Sequence, residues 1–147
     1  MSDDLLRPSI GAGVDMKVRP WRLMSQAYVA FFGGVIAVTV VAWVNSRRLG
    51  VDAGKRRLIV LTGVAGLAVV IALFAFLPFD EPNSGLRVIV RAVAVVACLV
   101  QMRLQRQMDR AFQLRGVEYA SLWMVGLLLT FSGIIVDYLL LRLVVSL

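Results

Sequence analysis

An all-α, integral membrane four-helix bundle is the fold class this sequence predicts, and three observations carry it. Residues 23–46 and 58–79 are runs of 24 and 22 residues without a charge. Each exceeds the roughly 20 apolar residues that cross a ~30 Å hydrocarbon core. Sixty per cent of the 147 residues are hydrophobic and the mean hydropathy is +0.84, outside the range of soluble domains. The net charge of +7, carried by Arg far more than Lys, falls almost wholly between the apolar runs. That placement suits membrane topology and a bilayer with anionic headgroups, and it argues against nucleic acid, which wants a basic face on a soluble module.

The elements follow in order. Residues 1–18 mix Asp3, Asp4, Asp15 and Pro8 without periodicity and read as a loop or disordered tail. Residues 19–147 then make a single membrane domain. The apolar core starts too late and runs too long for a cleaved secretory signal. A first span is expected at 24–44, with Pro20 just ahead of it and Trp21 and Trp43 at the two interfacial belts. A second span covers 58–79 and ends at Pro78 and the polar turn of residues 80–85.

The third span, 86–102, carries Arg87 and Arg91 in its first turns, where long side chains snorkel to headgroups. Nothing breaks it before Gly116, so one helix should leave the membrane near Arg103 and continue to about Arg115. Beyond the membrane Arg103, Arg106 and Arg110 form one stripe, and Leu104, Met108, Ala111 and Phe112 another. The third helix is thus expected to extend into a basic amphipathic cytoplasmic segment. A fourth span is expected at 119–141, with Tyr119 and Trp123 at one belt and Tyr138 at the other.

Orientation follows from the basic residues. Arg47, Arg48, Lys55, Arg56 and Arg57 occupy the first loop, and Arg103, Arg106, Arg110 and Arg115 the third connection. Cytoplasmic loops carry such an excess, so these nine form a basic cytoplasmic face and both termini are expected outside. Lys17, Arg19 and Arg22, just before the first span, pull the other way.

Small residues mark the packing faces. Ala30, Gly33, Gly34 and Ala37 lie along the first span, Thr62 and Gly66 along the second, and Gly126, Thr130 and Gly133 along the fourth. Such spacing lets helix backbones approach closely, within the chain first and in a homo-oligomer or against another membrane subunit as the alternative. Asp137 continues the stripe of the fourth span and is the one acid expected inside the membrane. A structural ion pair with Arg91 is the expected arrangement, with Arg87 and Arg142 as competing partners and a proton relay as the rival role.

Catalytic chemistry finds little footing. There is no histidine, which removes imidazole metal sites and His-activated nucleophiles. Cys98, the only cysteine, sits in an apolar stretch as a small hydrophobe. The acids form no cluster of the kind that holds Mg²⁺. No catalytic residue, metal or cofactor is expected, and the chain does not read as an enzyme.

Gln26-Ala27-Tyr28-Val29-Ala30-Phe31-Phe32-Gly33-Gly34, then Ala37, then Asn45-Ser46-Arg47-Arg48-Leu49-Gly50, resembles the start of certain small, uncharacterised bacterial inner-membrane proteins. Those carry a Gln upstream of a Phe-x-Gly-Gly-Pro-Leu-Ala element, with an Asn and a Leu-Gly after it. Val35 stands here where they have proline. The resemblance implies a multi-pass protein of the bacterial cytoplasmic (inner) membrane and no particular activity. The expected function is a non-enzymatic accessory, assembly or interaction subunit acting through helix packing and its basic face. The alternative is a small oligomeric transporter or channel using Asp137.

Overall fold

The computed structural model describes Val14 and residues 17–76 and 84–145. The rest of the tail and the expected stop and turn at 77–83 lie outside the described residues. The chain is all-α: α1 is Gln26–Arg48, α2 Ala53–Phe76, α3 Ser84–Leu114 and α4 Trp123–Val145, with a short 3₁₀ turn, Leu23–Ser25, leading into α1. Three helical stretches are long and apolar enough to cross a membrane, Leu23–Arg48, Ala53–Phe76 and Gly85–Leu114. At 23 residues, or ~34 Å, α4 also matches the thickness of a bilayer core. This is a membrane protein built as a four-helix bundle.

The first helix departs from expectation. Gly34, in its middle, has φ 76° and ψ −170°, a region of backbone space open essentially to glycine alone. There α1 turns back on itself. The proof lies in its ends: Gln26 Nε2 and Asn45 Nδ2 donate to the same oxygen, Gln105 Oε1, at 3.4 and 3.2 Å. A straight helix would hold those two residues ~28 Å apart. Asn45 also accepts from the Trp21 backbone N–H at 2.7 Å and donates to the Trp21 carbonyl at 3.1 Å. Along the two arms, Ala30 and Val38 meet over Cys98, and Val29 packs with Ala37 and Val41.

Helix α1 is therefore a re-entrant hairpin whose arms, residues 26–33 and 35–48, enter and leave at one end of the bundle. The expected span at 24–44 is corrected accordingly. Trp21 and Trp43 do not mark opposite belts, because both stand at the mouth of the hairpin. Trp21 is buried there under the Arg48 guanidinium, 4.0 Å above its ring.

The other three helices enclose the hairpin. Asp52 Oδ2 accepts the Lys55 N–H and starts α2, which packs on the outgoing arm through Val35 and Val70. As expected, α3 is one unbroken helix of 31 residues. It stops where Gly116 takes φ 67° and donates its N–H to the Gln113 carbonyl. The fourth helix begins at Trp123 and not at Tyr119, because residues before it are held extended: the Ala120 N–H donates to the Pro20 carbonyl at 2.9 Å. That contact joins the entry segment to the α3–α4 connection.

The entry segment, the α1–α2 loop and the α3–α4 connection thus gather at one end. Arg19 pairs with Glu118 at 2.8 Å, Arg48 donates to the Arg19 carbonyl, and Lys55 Nζ donates to Gln107 at 3.1 Å. The two basic loops share an end, as expected. The entry segment shares it too, whereas α4 runs away from it. The segment that enters α1 and the end of α4 therefore lie at opposite ends of the bundle.

Candidate functional site at the hairpin apex

The apex is where α1 changes direction, at Gly33 and Gly34, some 11 residues or ~16 Å of helix from Asn45. Against a hydrocarbon core of ~30 Å this lies near mid-depth. Reversal interrupts the helical ladder and leaves carbonyls of the first arm and N–H groups of the second without their usual partners. Non-helical backbone at such depth persists only inside protein or along a hydrated cavity. Both glycines are buried.

The small-residue stripe of α4 seats this apex. A Cβ on Gly33 would lie 2.7 Å from Ala37 Cβ and 3.0 Å from Thr130 Cα, and one on Gly133 would collide with the Gly33 carbonyl oxygen. Gly126, two turns nearer the basic end, leaves room for the Tyr28 hydroxyl, which donates to the Leu122 carbonyl at 2.9 Å. Gly33, Ala37, Gly126, Thr130 and Gly133 are thus brought together as one α1–α4 contact. Ala30 turns instead to α3, against Cys98. On α2 the expected Thr62–Gly66 pair is split. Thr62 donates to its own Leu58 carbonyl, while Gly63 and Gly66 take the close contacts with Thr39 and Val35.

Asp137 ends the α4 stripe at the apex itself. A Cβ on Gly34 would sit 2.7 Å from Asp137 Oδ2, so the carboxylate lies beside the start of the second arm, the positive end of its dipole. The expected direct ion pair with Arg91 is not formed. Arg91 reaches past the acid to the first arm and donates from Nη1 to the Phe32 carbonyl at 2.9 Å. The break explains this choice, since it strips Phe32 of its usual N–H partner four residues on. Arg91 acts on Asp137 through space only. Among the described residues no hydrogen bond or ion pair holds the Asp137 carboxylate. Arg142, a competing partner, donates to the Tyr138 hydroxyl at 3.1 Å instead.

Between the apex and the basic end lies a buried polar strand that sequence reading missed. Gln101 and Gln105 are fully buried on α3, and Gln101 Nε2 donates to Thr39 Oγ1 at 3.0 Å and to the Ile59 carbonyl at 3.2 Å. Gln105 Nε2 donates back to the Gln101 carbonyl. Three buried polar atoms, Gln26 Oε1, Gln101 Oε1 and Thr130 Oγ1, have no partner among the described residues. The missed signal was period. Gln101, Gln105 and Asp109 repeat at i, i+4 and i+8, facing away from the arginines.

Asp109 closes this strand on the extramembrane part of α3. It is 6% exposed and accepts from Gln113 at 2.8 Å and from the Tyr119 hydroxyl at 2.9 Å. Burial pushes its carboxyl above the usual range, against the pull of those two donors. The Tyr119 hydroxyl is pushed up to about 12, first by burial and then by its bond to Asp109.

The predicted basic face is assembled at this end. Arg47 and Arg48 lie over Trp43 and Trp21, Lys55 bonds Gln107, Arg56 and Arg57 open α2, and Arg103, Arg106, Arg110 and Arg115 follow α3. Among the described residues no group of three or more His, Cys, Asp or Glu is placed to hold a metal ion. Comparison of the chain with protein-family models, with curated proteins and with solved structures gives no match.

Proposed function

We propose that this protein is a small transporter that carries protons, alone or coupled to a solute, across the cytoplasmic (inner) membrane of a bacterial cell. Asp137 takes and releases the proton. One observation carries the reading: a carboxylate near mid-membrane, without a hydrogen-bond partner among the described residues, is set against a broken helix. An acid at that depth is costly, and such residues mark ion and proton paths. Helices interrupted at the midplane are a recurring way of building ion sites in transporters. Protonation removes the charge and with it the cost of leaving the carboxylate in apolar surroundings. The polar strand from Gln105 through Gln101 and Thr39 supplies buried groups on the way from the basic end to the apex.

The basic end is assigned to the cytoplasm. Twelve of the sixteen Lys and Arg fall there, counting Lys17, Arg19 and Arg22 with the two loops. Towards the other end stand Arg87 and Arg91 in the first turns of α3 and Arg142 in the last turn of α4, and the excess marks the cytoplasmic side. The N-terminus is then inside and the C-terminus outside, and the three arginine-rich segments no longer conflict. Reporter fusions at residue 50 and residue 116 should read inside and a C-terminal fusion outside. A C-terminal fusion that reads inside would overturn the assignment.

Proton flux into proteoliposomes, followed with an entrapped pH-sensitive dye under a valinomycin-clamped potential, tests the carrier role. Asp137→Asn should abolish most of the flux while the protein elutes as the native species does. Equal flux in both removes Asp137 from the path. An accessory subunit is the second reading, favoured by the basic face grouped at one end. It draws less support from the small residues, since Gly33, Gly66, Gly126 and Gly133 pack inside the chain.

A further inference from the structure

Beside the hairpin mouth, α3 and the turn leading into α1 enclose a groove of about 680 Å³. Arg103, Arg106 and Arg110 line it at i, i+3 and i+7, all exposed, and among the described residues none has an ion-pair partner. Below them the wall is apolar. Val96 and Leu99 are 59 and 54% exposed, while Met24, 75% exposed, lines the groove at the level of the arginines, since Leu23 beside it packs with Met102 and Met108. The only acid in the wall, Asp109, is turned inward to Tyr119 and Gln113.

This groove crosses from the apolar part of α3 to its extramembrane part. From Arg103 down to Val96 is ~10 Å of helix, so the basic rim stands at headgroup level and the apolar floor at the level of the first acyl carbons. From these two zones we infer that the groove is a binding site for one anionic glycerophospholipid. Its phosphate sits among Arg103, Arg106 and Arg110, with Met24 beside it, and one acyl chain runs down along Leu99 and Val96. Arginine suits this role, since its planar fork bonds phosphate oxygens in pairs. A soluble phosphate would use the rim but not the floor, and a zwitterionic lipid would bring a cation against three others. The inference is independent of the role given to Asp137.

Native mass spectrometry of the detergent-solubilised full chain tests it, with dioleoyl phosphatidylglycerol titrated against dioleoyl phosphatidylcholine. The native protein should retain one phosphatidylglycerol in preference. Arg103→Gln with Arg106→Gln should weaken retention roughly thirtyfold, at about fivefold for each basic residue lost. Arg56→Gln with Arg57→Gln removes the same charge from α2 and should leave the bound lipid in place. Equal losses in the two double variants would overturn the site in favour of a diffuse basic surface. Glycerol 3-phosphate should not displace the lipid, and displacement at matching concentration would overturn the lipid assignment. Replacing Leu99 with Asn should weaken retention with all arginines intact, and unchanged retention would remove the acyl seat.

Discussion

The two ends of the α1 hairpin are built from similar material and treated in opposite ways. At the mouth, Gln26, Asn45, Gln105 and the Trp21 backbone bond one another across three segments, with Arg48 stacked above and, of their side-chain atoms, Gln26 Oε1 left without a partner among the described residues. At the apex, Asp137 lies beside a helix break and Arg91 is engaged elsewhere. A largely bonded buried network rigidifies, whereas an acid left unpaired in the membrane is expensive. The contrast separates the clamp of the hairpin from the apex, where the proposed function places the proton site.

The sharpest way to break the contrast is at Gly34. Leucine there meets both a forbidden backbone region and the Asp137 carboxylate, and should cost about 3 kcal/mol or more. Thermal unfolding in detergent should show that loss, while Val40→Leu, on an exposed face, should change little. Native-like stability of Gly34→Leu would mean that α1 runs straight. The clamp should come next. Asn45→Leu removes bonds to Trp21 and Gln105 at once, and the loss should be about 2 kcal/mol, since buried groups are left unmet. A loss as small as that of Val40→Leu would separate the arms.

Much of this was legible in the sequence, and the limits have physical causes. The long α3 was plain because helical periodicity and the lack of a breaker are local signals. Asp137 stood out as a lone acid in an apolar run. The hairpin was not legible, because a Gly-Gly pair permits both close packing in a straight helix and a reversal. Which one forms is decided far along the chain, by Gln105, which bonds both arms, and by the small residues Thr130 and Gly133 that seat the turn. Trp21 and Trp43 imitated a spanning helix by spacing alone. Lys17, Arg19 and Arg22 were the contrary signal, and they pointed the right way about the shared end.

Smaller effects refine the apex. A double-mutant cycle of Arg91→Ala and Asp137→Ala should give a coupling on the order of 0.5 kcal/mol, as befits an interaction through space. A coupling several times larger would restore the direct pair. Arg91→Ala alone should still lower stability, by freeing the Phe32 carbonyl.

The smallest effect tests the mouth by pH. Asp109 has a raised pKa in the folded state, so the native protein holds its proton more firmly than the unfolded chain does. Stability therefore falls as pH rises from the ordinary carboxylate value through the raised one, and recovers on acidification through that window. Asp109→Asn should flatten this part of the pH–stability curve. An unchanged slope would show that the carboxylate carries no such penalty.

One consequence of the reversal at Gly34 concerns biogenesis. A helix that returns to its own side asks nothing of the translocation machinery, so in the proposed orientation the segment with Lys17, Arg19 and Arg22 would stay where it is synthesised. If the basic end is cytoplasmic, as proposed, what has to be exported is the α2–α3 connection, with Asp80 and Glu81 in its sequence and Arg87 just after it, and the last turn of α4 with Arg142. The inside-negative potential favours outward movement of acidic groups and opposes that of basic ones. Straightening α1 would oblige the cell to export the entry arginines, so the glycine that shapes the apex also lowers the barrier to insertion.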